Sequence, residues 1–218
     1  MEPTSTIVTG YWNINRDNRS YEHYLEHLTN VLKLPQNLFI YIPEEFESYV
    51  RERRDESNTF IKVYSLEDIQ RLYNPFWDKT QSIRKDTDWL SQATWLPDSP
   101  QASLEWYNPI VQSKMFLLND ATIWNPFDTD YFYWLDAGIT NTVPSGYLTD
   151  DNVLDKLPAY SNPFLFLSYP YEANTEIHGF NYQKINQYSD AVVNYVCRGG
   201  LFGGHKHQIN KANGTYYS

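Results

Sequence analysis

The first apolar run, Thr6-Ile7-Val8-Thr9, ends on Gly10. A β-prone run closed by a breaker predicts a short strand. Trp12 to Arg19 reads as a polar loop. Ser20 then stands where a helix N-cap belongs. Tyr21, Tyr24, Leu25, Leu28, Val31 and Leu32 recur at helical spacing, and Leu34-Pro35 ends that helix. Leu38 to Ile42 is apolar almost throughout, the pattern of a parallel strand covered on both faces. Glu44 to Asp55 predicts a charged helical segment, Phe60 to Tyr64 a third strand, and Ser65 the cap of a helix from Leu66.

Asn74 to Leu104 carries no clear period and holds Trp77, Trp89 and Trp95 among Pro97 and Pro100. Such a stretch is expected to be irregular, as a functional loop or lid. Asn108-Pro109 opens the next helix, with Ile110, Val111, Lys114, Met115, Leu117 and Leu118 in it. After a break at Asn125-Pro126, Tyr131 to Leu135 is an aromatic strand that runs into Asp136-Ala137-Gly138. Ser145 to Ser161 reads as loop and short helix, and Pro163 to Ser168 as a strand. The β-prone Val192 to Val196 leads into Arg198-Gly199-Gly200-Leu201-Phe202-Gly203-Gly204, with a helix from His205 onward. Strands alternating with helices predict an α/β fold with a mostly parallel central sheet. A chain of 218 residues fits one domain, 1–218, with a core that needs no disulfide or metal staple.

Charge narrows the partners. A net charge of -10 argues against nucleic acid and anionic membrane surfaces. No run approaches the ~20 apolar residues of a membrane span. Met1 to Thr9 lacks the basic start and long apolar run of a secretion signal, so a cytoplasmic protein is expected. Cys197 is the single cysteine, which excludes an intramolecular disulfide. Asn213-Gly214-Thr215 fits a glycosylation sequon by chance under that reading. Nineteen tyrosines and seven tryptophans supply rings that stack on sugars and bases, though such a bias is common without that use.

Asp136 is the most informative candidate. It follows a strand, and open α/β sheets bind ligands outside the carboxyl ends of their strands. A carboxylate there suits Mg²⁺ or Mn²⁺ on a diphosphate; equally, it could cap a turn. The paired glycines, Gly199-Gly200 and Gly203-Gly204, permit either close ligand approach or a plain hairpin. His205 is a candidate metal ligand, and His207, two residues on, would not share its helix face. Lys114 either meets a phosphate or snorkels to solvent. Thr9, Gly10, Tyr11, Trp12 and Asn13 close the first strand with a ring and an amide that suit a base. No nucleophile elbow, zinc spacing or phosphate-cradling glycine fingerprint is present.

Four stretches together resemble the HtrL/YibB family: Ile7 to Trp12, Tyr107 to Lys114, Tyr133 to Gly138 and Arg198 to Gly204. The resemblance implies a GT-A-like Rossmann-type α/β/α sandwich and a glycosyltransferase of the hexosyltransferase type. It implies a nucleotide-sugar donor, a UDP-sugar by preference, and a glycan or protein hydroxyl as acceptor. Asp136 would stand for the first acid of an Asp-x-Asp metal motif, Gly138 replaces the second, and His205 would complete the Mn²⁺ or Mg²⁺ site. Thr9 to Asn13 would hold base and ribose, Lys114 the diphosphate, and Gly199, Gly200, Gly203 and Gly204 would shape the sugar pocket as a turn. Glu172 and Asp190 are candidates for a catalytic base. The resemblance also implies an acidic segment beyond Ser218. The other expectation is a glycan- or nucleotide-binding module on the same fold, without catalysis.

Overall fold

The computed structural model describes residues 5–16, 20–170 and 191–218. Strand β1, Ser5–Gly10, leads into helix α1, Tyr21–Leu32, whose first turn is capped by Ser20 Oγ on His23 N. Strand β2, Asn37–Ile42, is followed by the short helix α2, Glu47–Arg51, and strand β3, Thr59–Val63. Ser65 and Asp68 form a reciprocal capping box on helix α3, Leu66–Ile83. Two one-turn helices, Thr87–Leu90 and Pro100–Ser103, precede helix α4, Tyr107–Trp124. Strand β4, Tyr131–Leu135, then β5, Phe164–Pro170, and β6, Tyr195–His205, complete the sheet, and helix α5, Lys206–Tyr217, ends the chain.

The six strands lie in the order β3-β2-β1-β4-β6-β5. β1, β2, β3 and β4 pair in parallel, and β6 runs antiparallel to both its neighbours. The α/β class and the mostly parallel sheet expected from the sequence are therefore present. Alternation along the strands sorts side chains to two faces. Ile7, Leu38, Ile40, Tyr133 and Leu135 pack with Leu28, Val31 and Leu32 of α1. Val8, Phe39, Tyr41, Phe132 and Trp134 pack with Ile69 of α3, Leu117 and Leu118 of α4, and Ile209 of α5. The result is three layers, helix on sheet on helix.

Two expectations need correction. Asn74 to Leu104 is not irregular throughout: α3 continues through Pro75 to Ile83. Tyr73 and Trp77 are buried against Phe116, and this burial holds the helix past a residue that lacks an N–H. The glycine-rich run is not a turn. Gly199 to Gly204 lies within β6, where Leu201 to Gly204 pair with β4 and Phe202 to Gly204 with β5. Gly203 adopts φ +154°, and a Cβ there would meet Phe132 O at 2.1 Å. Glycine thus allows two backbones to approach inside the sheet, not a hairpin.

No helix of the described residues is long and apolar enough to cross a membrane.

Candidate functional site

β1 and β4 are neighbours, while β2 lies on the other side of β1. The chain therefore leaves β1 in opposite directions, which makes a switch point at the carboxyl ends of β1 and β4. A cavity of about 450 Å³ opens there. The end of β1 supplies Gly10, Tyr11, Trp12 and Asn13, and the loop beyond supplies Arg16. α1 and α4 add Tyr24, Tyr107 and Lys114; β4 and its following turn add Trp134 and Asp136; β6 adds Arg198, Gly199 and Gly200.

The strand alternation fixes Asp136. Phe132 and Trp134 face α4, so the next residue of that parity also turns toward α4. Lys114 meets it there, with Nζ 2.6 Å from Asp136 Oδ1. The same oxygen accepts a hydrogen bond from Trp134 Nε1 at 2.6 Å. Oδ2 takes no hydrogen bond from the described residues and lies toward Gly200, whose added Cβ would sit 3.9 Å from it. Lys114 also donates to Gly199 O at 3.2 Å. Its side chain is only 14% exposed, against 34% for Asp136, so the pair is partly shielded from water.

β6 is bent to make this contact. Against β5 the register passes from Phe166↔Phe202 straight to Leu167↔Arg198. Gly199, Gly200 and Leu201 are thus extra residues on that side, a bulge beside the site. On the other side Gly200 O accepts from Asp136 N at 2.9 Å, which continues the β4 ladder to the cavity edge. α4 is anchored separately. Asp120 Oδ2 accepts from Tyr41 OH and Lys62 Nζ, both at 2.6 Å, and Tyr41 OH lies 2.9 Å from Leu117 O. Lys114 sits six residues before Asp120 on this fixed helix.

At the aromatic end, Arg16 Nη1 donates to Tyr24 OH at 2.6 Å, and its Cζ lies 5.1 Å from the Tyr107 ring centre. Tyr11 packs 6.1 Å from Tyr24, and burial pushes its hydroxyl well above the ordinary tyrosine range, so it stays protonated. On the rim, His23 and His27 of α1 hydrogen-bond Asn141 and Thr140 and hold the segment after Asp136.

The fold thus brings together Gly10, Tyr11, Trp12, Asn13, Lys114, Asp136, Gly199 and Gly200. It does not bring in the others. Thr9 is fully buried in β1. Gly203 and Gly204 pair with Tyr133 and Phe132 inside the sheet. His205 pairs with Tyr131, five residues before Asp136, roughly 17 Å away along the strand. There it caps α5, accepting from His207 N at Nδ1. Antiparallel pairing sends the end of β6 to the opposite edge of the sheet, so His205 and Asp136 cannot share an ion. Glu172 and Asp190 lie outside the described residues.

A family model described as a bacterial protein of unknown function, HtrL_YibB, matches residues 4–215. The chain belongs to the HtrL/YibB family. A search of curated proteins finds no match.

The donor set can be tested against the divalent cation that the family resemblance implies. Asp136 is the one carboxylate lining the crevice among the described residues, and a lysine already sits on it. No group of three His, Cys, Asp or Glu side chains converges anywhere among the described residues. A single carboxylate holds such a cation only together with waters and substrate phosphate oxygens, and here one of its two oxygens is already taken by Lys114 and Trp134. The described cavity instead offers Arg16 and Lys114 against one carboxylate, in a chain with ten excess negative charges. Such a local inversion of charge suits an anionic ligand. Arg16, Tyr24 and Trp134 escape sequence reasoning: Arg16 lies in a loop without period, and the two aromatic residues are indistinguishable from core positions.

Proposed function

We propose that this chain is a glycosyltransferase that binds a nucleotide-sugar, a UDP-sugar by preference, in the crevice at the ends of β1 and β4. One observation carries the reading. A tyrosine- and tryptophan-lined wall and a lysine held by Asp136 meet in a single cavity at the switch point of the sheet. Aromatic faces suit a base or sugar, and cations suit a diphosphate. The GT-A-like architecture is supported by the three layers and the strand-end carboxylate.

On this reading Lys114 receives the diphosphate. The bond between the anomeric carbon and the diphosphate oxygen breaks, and Lys114 meets the charge that grows on that oxygen. Trp134 and Gly199 hold the lysine–carboxylate pair in place, so little reorganisation is needed. Asp136 Oδ2 faces the ligand as a hydrogen-bond acceptor for a sugar hydroxyl. The acceptor oxygen, from a glycan or a protein, forms the new bond, and its proton goes to a carboxylate base. No step is assigned to a metal ion.

A binding module without catalysis is the second reading. It is favoured by the lysine and indole that already occupy Asp136 Oδ1, which leaves that oxygen no open place for a proton from the acceptor. Release of UDP from a panel of UDP-sugars, with and without Mn²⁺ and candidate acceptors, separates the two. Transfer predicts UDP release that falls in Lys114→Ala and Asp136→Ala. Binding alone predicts saturable UDP-sugar affinity with no release. Failure to bind any nucleotide-sugar contradicts transfer, and failure to bind any glycan as well contradicts both.

A further inference from the structure

Arg16, like Arg54 and Arg84, is hydrogen-bonded without reaching a carboxylate among the described residues. Arg51, Arg53, Lys62, Arg71, Lys114 and Lys206 each reach a carboxylate. The Nη1 of Arg16 is committed to Tyr24 OH, and its Nε is shielded from water with no hydrogen-bond partner among the described residues. A second such atom lies close by: the buried Tyr11 hydroxyl also lacks a partner among the described residues, and both residues line the cavity and pack around Tyr24. A guanidinium N–H held from water without a partner is costly, and native folds keep few such groups. Two of them beside one cavity mark a place where a ligand group completes the bonding.

The position separates this place from the diphosphate end. Arg16 lies against Tyr107, and Lys114 follows seven residues later on the same helix, roughly 10 Å along its axis. The cavity therefore has two cationic poles. The edge of Arg16 away from its Nη1–Tyr24 bond, Nε with Nη2, has the planar fork geometry that matches a carboxylate in two parallel bonds. The Tyr11 hydroxyl, kept protonated by burial, adds a neutral donor.

We propose that Arg16 and Tyr11 form a carboxylate subsite, so that the ligand of this crevice is an acidic sugar, carried by either the donor or the acceptor. This rests on the nucleotide-sugar reading for the nature of the ligand, and the test keeps the two apart. Calorimetry on the wild-type protein compares UDP-glucuronate with UDP-glucose, and glucuronate with glucose in the presence of UDP. The first arm places the carboxylate on the donor, the second on the acceptor. At least one acidic partner should bind about tenfold or more tightly than its neutral counterpart, the scale of a charge-assisted bidentate contact. Arg16→Gln should remove that preference, and Arg16→Lys should restore only part of it, because a lysine lacks the fork. The far-ultraviolet circular dichroism and the melting temperature should stay near wild type in both variants, which reports an intact fold.

Equal affinity for acidic and neutral forms in the wild-type protein overturns the proposal. So does a preference that survives in Arg16→Gln, or displacement of the sugar acid by inorganic phosphate at equal concentration. If UDP and both UDP-sugars fail to bind, the nucleotide reading falls. In that case glucuronate against glucose alone decides the subsite by the same criteria.

Discussion

At the scale of single residues, the site is a lysine made useful by its neighbours. Lys114 is held from three sides, by Asp136 Oδ1, by Gly199 O and across the face of Trp134 at 6.0 Å. A flexible ammonium would otherwise spend its entropy in choosing a position. Lys114→Ala should lower turnover, read as UDP release, by about 10²-fold or more if the ammonium meets the leaving group. The pair is partly exposed, so the same change should cost only about 1 kcal/mol in urea unfolding. A turnover within twofold of wild type would remove Lys114 from the chemistry. Asp136 and Lys114 were both legible in the sequence, one as a carboxylate after a strand and the other as a charge in an apolar helix. Their mutual contact was not legible, because it depends on which face of β4 looks at α4.

At the scale of elements, the glycines of β6 do two jobs that their sequence does not distinguish. Gly203 lets β6 pass close to β4 with a left-handed φ, whereas Gly200 borders the cavity beside Asp136 Oδ2. Gly203→Ala should destabilise by about 3 kcal/mol or more, because both the backbone conformation and the Phe132 carbonyl oppose a Cβ. Gly200→Ala meets only the tip of Ile139 at 3.1 Å. It should keep the wild-type melting temperature within a few degrees and weaken nucleotide-sugar binding. Reversed outcomes would mean that the bulge, not the sheet, is the structural element. The expectation of a turn failed because glycine pairs serve turns and close-packed strands alike. The expectation of His205 in the site failed for the related reason that strand direction decides which end of β6 meets Asp136. Periodicity placed α1 and α4 well, but α3 outran its apparent end at Asn74 because burial of Tyr73 and Trp77 outweighs the cost of Pro75.

At the scale of the whole molecule, buried tyrosines bind the layers and set an alkaline limit. Burial pushes the Tyr133 phenol from an ordinary 10.0 up to about 12, and Tyr64 likewise to about 12. Below pH 10 both folded and unfolded chains keep these protons, and stability is unaffected. Above it the unfolded chain gives them up first, so stability falls as pH rises toward 12. Tyrosinate absorbance and far-ultraviolet circular dichroism should therefore change together in this window; early ionisation with the fold intact would contradict the burial. The three-layer fold was readable from alternating strands and helices, since both faces of each central strand are apolar. The cavity was readable only as a location, at the end of β4. Its charge inversion was not readable, because Arg16 and Lys114 are far apart in the chain.

Thermal unfolding with UDP-sugars tests the central proposal most directly. At a ligand concentration of about 100 Kd, a nucleotide-sugar bound to the folded chain adds about 2.7 kcal/mol, or roughly 5–10 °C for a domain of this size. The wild-type protein should show that rise with at least one UDP-sugar, and Lys114→Ala should lose most of it. An unchanged melting temperature with every nucleotide-sugar up to millimolar concentration, or an equal rise in Lys114→Ala, would contradict a diphosphate site at the ends of β1 and β4.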